Sequence, residues 1–326
     1  MKAIEFRQFG SPDVLKLVDV PTPSPGKGEA LVRARAIGVN YFEVLMRQDR
    51  YTMTPELPMV PGVELAGVVE AVGEGVRPSL LGSRVAVPMF AQGRGSGGYA
   101  EFVTVDATTL VPIPDGLSFE PAVALMIQGL TALHLVRQNP PKNKTLLVSA
   151  ASGGVGSLLV QLARNGSARA IVAVASSEEK LELARSLGAD LGANYAQPDW
   201  PATLKAALRG GGIDIVYDFV GGEFTGTAID LLAPGGELVF GALGRFTLSA
   251  KQMETMFSQN QVLRGFALLP LLDPVGLRTD LADLFSRAEE GTLKVTIGGR
   301  FSLQEAEDAH RAIESRQTTG KIVLAP

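Results

Sequence analysis

Residues 145–156 read TLLVSAASGGVG. Leu146, Leu147 and Val148 form a short continuous apolar run, the pattern of a strand covered on both faces. The run gives way to Ala151-Ser152-Gly153-Gly154-Val155-Gly156, which matches G-x-G-x-x-G with alanine in the first glycine position. SLLVQLARN, residues 157–165, follows with apolar residues at helical spacing. Strand, glycine turn and helix in this order suit a dinucleotide. Gly153 and Gly154 let main chain approach a pyrophosphate, and Gly156 lets the helix pack close to the strand. The helix N-terminus offers free N–H groups and a partial positive charge to the phosphates. A tight strand-to-helix turn without a ligand shares the outline; the full context favours the nucleotide.

After this turn, strands and helices alternate. AIVAVA, IDIVYDFV, GELVFGAL and VLRGFAL read as parallel strands, with helices such as EEKLELARSLGA and TGTAIDLLAP between them. That is an α/β, doubly wound parallel sheet. Before it, MKAIEF, LKLVDV, EALVRARAIGVN, VELAGVVEAVG, SRVAV and YAEFVTV read as short strands. Pro and Gly clusters at 21–29 and 89–98 separate them, as in a partly closed β-domain. PAVALMIQGLTALHLVRQ reads as a linking helix. After about residue 268, two helices lead to GKIVLAP, a strand expected to return to the first domain. The expected division is 1–125 with 268–326 for the β-rich domain, and 126–267 for an inserted dinucleotide-binding domain.

The chain has 326 residues, 46% hydrophobic and 20% charged, enough for two domains with ample core. A net charge of −4 has the wrong sign for a general nucleic-acid binder. No uninterrupted apolar window is long enough to span a membrane, and MKAIEFRQFG lacks the apolar core of a signal peptide. A cytoplasmic protein is expected. There is no cysteine, which excludes disulfides, thiol nucleophiles and a cysteine-ligated zinc. The two histidines, His134 and His310, lie in helix-like segments and read as packing or surface residues. No metal site is expected.

The strand after the glycine turn ends at Ala175-Ser176-Ser177. An NAD-preferring site places Asp or Glu at this tip to bind the ribose hydroxyls. Serines stand here instead, and Lys180 lies one turn into the next helix, within reach of a ribose 2′-phosphate. This pattern favours NADPH. Ser176 and Glu179 also fit a helix capping box, and Lys180 a solvated helix lysine.

Several further segments, in order, resemble the medium-chain dehydrogenase/reductase superfamily, and within it the zinc-free quinone oxidoreductase (zeta-crystallin-like) branch. They are GVNYFEVLMRQDRY at 38–51, PMVPGVELAGVVEAVGEGV at 58–76, GGYAEFV at 97–103, QGLTA at 128–132, SLGAD at 186–190, PGGELVFG at 234–241 and TGKIVL at 319–324. The resemblance spans nearly the whole chain. It implies a doubly wound Rossmann sheet inserted in a GroES-like, partly closed β-barrel catalytic domain. Asn40 stands where zinc alcohol dehydrogenases carry a ligand cysteine, and Val63 where their PGHE motif has histidine. Without a Lewis acid, simple alcohol oxidation is not expected. The resemblance implies NADPH-dependent reduction of a quinone or an α,β-unsaturated carbonyl.

It also implies site residues. Asn40 would face the nicotinamide, donating to a substrate carbonyl or holding the ribose, or else serve as a strand-ending turn residue. RYTMTPELP at 50–58 also resembles the equivalent stretch of medium-chain 2-enoyl thioester reductases, which implies Tyr51 as a proton donor, or else a loop packing residue; quinone oxidoreductases often carry a tyrosine here too. Thr131 would touch the nicotinamide amide, or bond backwards to a helix carbonyl. Tyr195 would lie near the 2′-phosphate, Gly241, Ala242 and Leu243 along the nicotinamide, Gly265 and Phe266 at the cleft between the domains, with Phe266 among the cofactor contacts, and Lys321 on the phosphate side of the cofactor. Two rival readings remain. One is a 2-enoyl thioester reductase, with Arg47, Arg50, Arg94 and Arg245 as candidates for a basic rim. The other is a non-catalytic, crystallin-like NADPH-binding protein. Relatives pair edge strands of their nucleotide domains, so a homodimer through 236–266 is expected.

Overall fold

A computed structural model of the chain describes residues 1–241 and 245–326. The first elements are β1 (Lys2–Glu5), β2 (Lys16–Asp19), β3 (Glu29–Val39), α1 (Tyr41–Arg47), β4 (Glu64–Val72), β5 (Arg84–Pro88), β6 (Phe102–Asp106) and β7 (Val111–Pro112). Then come α2 (Phe119–Ala124), a π-helical turn (Leu125–Gly129) and α3 (Leu130–Gln138). Strand–helix alternation follows with β8 (Thr145–Ser149), α4 (Gly154–Asn165), β9 (Ala170–Ala175), α5 (Glu178–Ser186), β10 (Leu191–Asn194) and α6 (Trp200–Ala207). It continues through β11 (Ile213–Asp218), α7 (Glu223–Ile229), β12 (Leu232–Phe240), α8 (Ala250–Ser258) and β13 (Val262–Gly265). The chain closes with α9 (Pro274–Glu289), β14 (Ile297–Ser302), α10 (Ala306–Glu314) and β15 (Lys321–Ala325). These elements form two compact units, Met1–Leu130 with Leu269–Pro326, and Thr131–Leu268.

In the first unit β3 carries the sheet. Arg33 and Arg35 point to solvent while Ala30, Val32, Ala34 and Ala36 are buried, the period-two pattern of a strand with one covered face. The sheet order is β14-β15-β3-β4-β5-β7, with β6 also on β3. Strand β6 pairs with the first half of β3 (Glu29–Arg33), and β15 with its end (Ile37–Val39). One strand thus serves two partners along one edge, which curves the sheet towards a barrel. Ala30, Val32, Ile37, Leu65, Val85, Val103 and Leu324 are among the buried residues of its core.

In the second unit six parallel strands run in the order β10-β9-β8-β11-β12-β13. The all-apolar runs AIVAVA and LLV are buried because helices cover both faces. The order reverses between β8 and β11, so the crevice for a ligand opens at the carboxyl ends of these two strands. The fold is the doubly wound sheet with a GroES-like β-domain that the sequence suggests.

Local readings differ in three places. Strand β10, LGAN, is too short and glycine-rich to stand out as a strand. Helix α7 ends at Ile229, because Leu232 already pairs with Ile213 in the sheet. The linking helix is not regular: Leu125–Gly129 is a π turn. The segment Phe119–Gln138, with mean hydropathy 1.4, is long and apolar enough to cross a membrane; 61% of that window is buried, as in a core helix.

Candidate functional site

In the second unit, the expected nucleotide turn sits at the carboxyl end of β8. Gly153 is the N-cap of α4, and among the described residues no side chain caps this helix, which leaves its first N–H groups open to an anion. A Cβ on Gly156 would lie 2.3 Å from the Ala150 carbonyl oxygen, so only glycine lets helix and strand approach this closely. Ala150 takes a φ of +47°, a left-handed conformation that costs a residue with a Cβ, and its carbonyl accepts the Gly153 N–H at 2.8 Å. Ala151 and Ser152 are buried beneath the turn.

Across the crevice, Asp218 at the end of β11 organises the facing loop. Its Oδ1 accepts the Val220 and Gly221 N–H groups at 2.9 and 2.8 Å, and its Oδ2 accepts the Thr225 hydroxyl at 2.5 Å. Ser149 Oγ accepts the Phe219 N–H at 2.8 Å, tying the ends of β8 and β11 together. Gly241 and Phe266 follow β12 and β13 on this same edge, through Gly241 N–H to the Asp218 carbonyl (2.9 Å) and Phe266 N–H to the Phe240 carbonyl (3.1 Å). Ala242 and Leu243 lie outside the described residues. Asp218 and Ser149 escaped the sequence reading, although an Asp closing an apolar strand before two glycines is a visible signal.

One strand over, Ser176, Ser177, Lys180 and Tyr195 come together. Lys180 Nζ donates to Ser176 Oγ at 3.2 Å, and the Tyr195 N–H donates to the Ala175 carbonyl at 3.0 Å, placing it beside the β9 tip. Partial burial holds the Lys180 ammonium below the usual lysine range, against the pull of Glu179. Ser177, not Ser176, caps α5, accepting the Lys180 N–H. The expected capping box is therefore off by one residue, because β9 runs out to Ala175 and α5 begins only at Glu178, which puts Ser177 at the cap. This correction leaves the Ser176 hydroxyl facing the lysine. Glu178 pairs with Arg185.

The first unit holds a different cluster. Strand β15 runs antiparallel to β3 with Ile322 opposite Val39, which sets Lys321 beside Asn40. Lys321 Nζ donates to Asn40 Oδ1 at 2.8 Å and to Glu64 Oε1 at 2.5 Å. Asn40 Nδ2 donates to Glu64 Oε1 at 2.9 Å, and Gln128 Nε2 donates to Asn40 Oδ1 at 2.9 Å. The Asn40 N–H also donates to Glu43 Oε2 at 2.9 Å, the return arm of a capping box at the start of α1. One expectation changes here. Asn40, 2% exposed, has both ends of its amide engaged by protein and offers no donor to a substrate carbonyl. Lys321, also 2% exposed, is the ammonium of this buried cluster, with Asn40 and Glu64 as its acceptors. Glu64 was missed; its signal was a carboxylate in the otherwise apolar run that follows PGV.

A second buried chain adjoins it. Tyr99 OH donates to Glu43 Oε2 at 2.8 Å and lies 3.1 Å from His310 Nε2. Burial pushes the Glu43 carboxyl up to about 7, against hydrogen bonds from Asn40 and Tyr99 and the Lys321 charge. Burial, with Arg47 nearby, pushes the His310 imidazole down to about 3. His310 is thus a packing residue, as expected. Arg47 is fully buried and pairs with Glu314, which removes it from any basic rim.

The Tyr51 ring is half-buried against Phe42, with centroids 5.6 Å apart, and its hydroxyl has no hydrogen-bond partner among the described residues. Thr131 is 8% exposed in the first turn of α3, and among the described residues no hydrogen bond runs from its hydroxyl back to a helix carbonyl. Among the described residues no group of three or more His, Cys, Asp or Glu is placed to hold a metal ion.

An inserted doubly wound sheet in a GroES-like β-domain, with an open glycine turn at its switch point, defines a medium-chain dehydrogenase/reductase. A family profile described as alcohol dehydrogenase GroES-like domain matches residues 26–115, and one described as zinc-binding dehydrogenase matches residues 187–324. A quinone oxidoreductase of Pseudomonas aeruginosa is 36% identical, over 100% of this chain and 99% of that protein. A 2-haloacrylate reductase of a Burkholderia species is 32% identical over 99% of this chain and 98% of that protein. The structure of Escherichia coli quinone oxidoreductase complexed with NADPH superposes with a TM-score of 0.90 at 28% identity, over 100% of both chains. The chain belongs to the quinone oxidoreductase branch of this superfamily.

Proposed function

We propose that the chain catalyses NADPH-dependent reduction of quinones or α,β-unsaturated carbonyls without a metal. The observation that carries the choice of NADPH is the meeting of Ser176, Ser177, Lys180 and Tyr195 at the β9 tip, where serine hydroxyls and an ammonium stand in the place of a tip carboxylate. The uncapped start of α4 and the bare Gly156 suit a pyrophosphate. The quinone oxidoreductase relatives and the 2-haloacrylate reductase support a conjugated acceptor.

NADPH, when bound, supplies the hydride. The protein's part is positioning and proton delivery. The Thr131 hydroxyl, free of helix carbonyls, orients the nicotinamide amide. The Tyr51 hydroxyl, without a hydrogen-bond partner among the described residues, donates the proton that completes reduction of an enone. Asn40 acts one step back, as the centre of the buried cluster. The residues at the zinc-ligand positions do not suit a metal: the Val63 side chain has no donor atom, and the Asn40 amide already bonds Lys321, Gln128, Glu64 and Glu43.

A thioester reductase is less well supported, since Arg47 is buried and Arg94 donates to the Thr104 carbonyl at 2.6 Å. A second copy is proposed to pair along β13, the sheet's edge strand, where Val262 and Leu263 are 44% and 40% exposed. Light scattering of the eluting protein tests that assembly, and a monomeric mass rejects it. The activity is tested by NADPH oxidation with 1,4-benzoquinone, a simple 2-enone and crotonyl-CoA, with NADH as control. Turnover of quinone or enone with a preference for NADPH is expected. Turnover confined to crotonyl-CoA moves the chain to the thioester reductases. Binding of NADPH with no turnover makes it a binding protein.

A further inference from the structure

The helical stretch 119–138 is interrupted where it meets the Asn40 cluster. Within the π turn Leu125–Gly129, the Ile127 N–H donates to Glu64 Oε2 at 3.0 Å. The next residue, Gln128, donates through its side chain to Asn40 Oδ1 at 2.9 Å. Two consecutive residues of the turn are therefore held from outside the helix, one by main chain and one by side chain. The other Glu64 oxygen is bound by Lys321 Nζ and Asn40 Nδ2. A carboxylate suits this place because it accepts on both oxygens, whereas an amide accepts on one only. The cluster is rigidly founded: Glu64 starts β4, Lys321 starts β15, Asn40 follows β3, and all three are buried. Gly38 leaves the space, since a Cβ there would fall 2.3 Å from Glu64 Oε1.

A π turn holds one more residue than the α-helix it interrupts, and backbone groups at such a bulge need partners. If the turn relaxed to regular helix, every later residue would rotate by one helical step, about 100°. Thr131 lies two residues beyond the turn. We propose that the Glu64–Lys321 pair, with Asn40 and Gln128, is a latch that holds the π turn and so aims the Thr131 hydroxyl. Glu64, Lys321 and Gln128 are positioning residues. The aim assigned to Thr131 rests on the reading given under Proposed function; the latch itself does not.

Two double variants separate the latch from charge balance. K321M/E64Q and K321M/E64L both remove the ion pair, but only the first keeps an oxygen that can accept the Ile127 N–H. Amide exchange at Ile127, NADPH affinity by fluorescence titration, and kcat with 1,4-benzoquinone are compared in wild type and both variants. Ile127 is expected to exchange slowly in wild type and K321M/E64Q, and at least about tenfold faster in K321M/E64L. The kcat of K321M/E64L should fall at least about tenfold below that of K321M/E64Q, with NADPH affinities within about threefold. Equal kcat in the two variants overturns the aiming of Thr131. Equal Ile127 exchange in the two overturns the latch, as does exchange in wild type at the rate of an unbonded amide, which needs no variant to fold. Absence of wild-type turnover with any acceptor rejects the oxidoreductase reading, while the exchange comparison still decides the latch.

Discussion

Glu64 and Lys321 stand 257 positions apart in the chain, yet Oε1 and Nζ lie 2.5 Å apart with both side chains buried. Removing two charges from water costs several kcal/mol each, offset here by their attraction and by the Asn40 and Ile127 hydrogen bonds. Deleting one partner strands the other. Lys321→Met should lower stability by about 3–5 kcal/mol, and adding Glu64→Gln should recover most of the loss. Urea unfolding of the single and double variants checks this; a double variant no more stable than the single removes the charge-pair account.

Glu43 and His310, on either side of the Tyr99 hydroxyl, give stability opposite pH dependences. The Glu43 carboxyl titrates at about 7 in the folded chain against an ordinary 4.5, so the folded state holds its proton longer. Its contribution to stability falls as pH rises through that window. The His310 imidazole titrates at about 3 against 6.5, so its contribution is present above the ordinary value and lost as pH falls through the window. Glu43→Gln should abolish only the first effect. Between about pH 5 and about pH 7.5 the variant should gain about 2 kcal/mol relative to wild type. Denaturant titrations at the two pH values measure it, and parallel pH profiles would mean that Glu43 is charged in the fold throughout.

The nucleotide turn was legible because its physics is local: strand, glycines and helix are contiguous from Thr145 to Asn165. The same holds for the serines at the β9 tip, though the cap moved from Ser176 to Ser177 because strand ends are set by pairing with neighbours. The Asn40 cluster was not legible. Asn40, Glu64, Gln128 and Lys321 come from four separated segments, and only the antiparallel register of β15 on β3 brings the lysine to the asparagine. The π turn was hidden for the same reason: LMIQG has ordinary helical character, and its departure from the α ladder coincides with the Glu64 hydrogen bond from outside the helix. Sequence patterns report on neighbours along the chain; buried polar networks depend on neighbours across it.

Lys180, beside Ser176, is the cation proposed to distinguish the two cofactors. Lys180→Glu puts a carboxylate where a 2′-phosphate is proposed to sit. Affinity for NADPH should fall by about tenfold or more, and affinity for NADH by less than about threefold. Fluorescence titration with both cofactors measures the ratio. Equal losses would remove Lys180 from the phosphate site.

Gly156 tolerates no side chain. The nearest obstacle to a Cβ is the Ala150 carbonyl, main chain already held by the Gly153 N–H. Gly156→Ala must push α4 away from β8, at a cost of about 1–3 kcal/mol. The displaced helix N-terminus should also weaken NADPH binding. Ala150→Gly is the counterpart: with φ at +47°, glycine relieves backbone strain, and stability should stay level or rise by up to about 1 kcal/mol. Thermal unfolding of both variants checks the pair, and a Gly156→Ala protein as stable as wild type would mean that the turn is more compliant than its packing implies.

Tyr51 packs its ring on Phe42, and its hydroxyl has no hydrogen-bond partner among the described residues. A packing role and a catalytic role therefore reside on different atoms, and Tyr51→Phe separates them. The ring contact survives the substitution, so stability should change by less than about 0.5 kcal/mol. Loss of a general acid typically lowers turnover by about 100-fold or more. Reduction of a 2-enone, which needs a proton at carbon after hydride addition, should suffer by that order, while NADPH affinity stays within about twofold. Quinone reduction should be less affected, because solvent readily protonates the oxygens of the reduced product. Unaltered enone turnover in Tyr51→Phe would assign the residue to packing alone and send the search for the proton donor elsewhere.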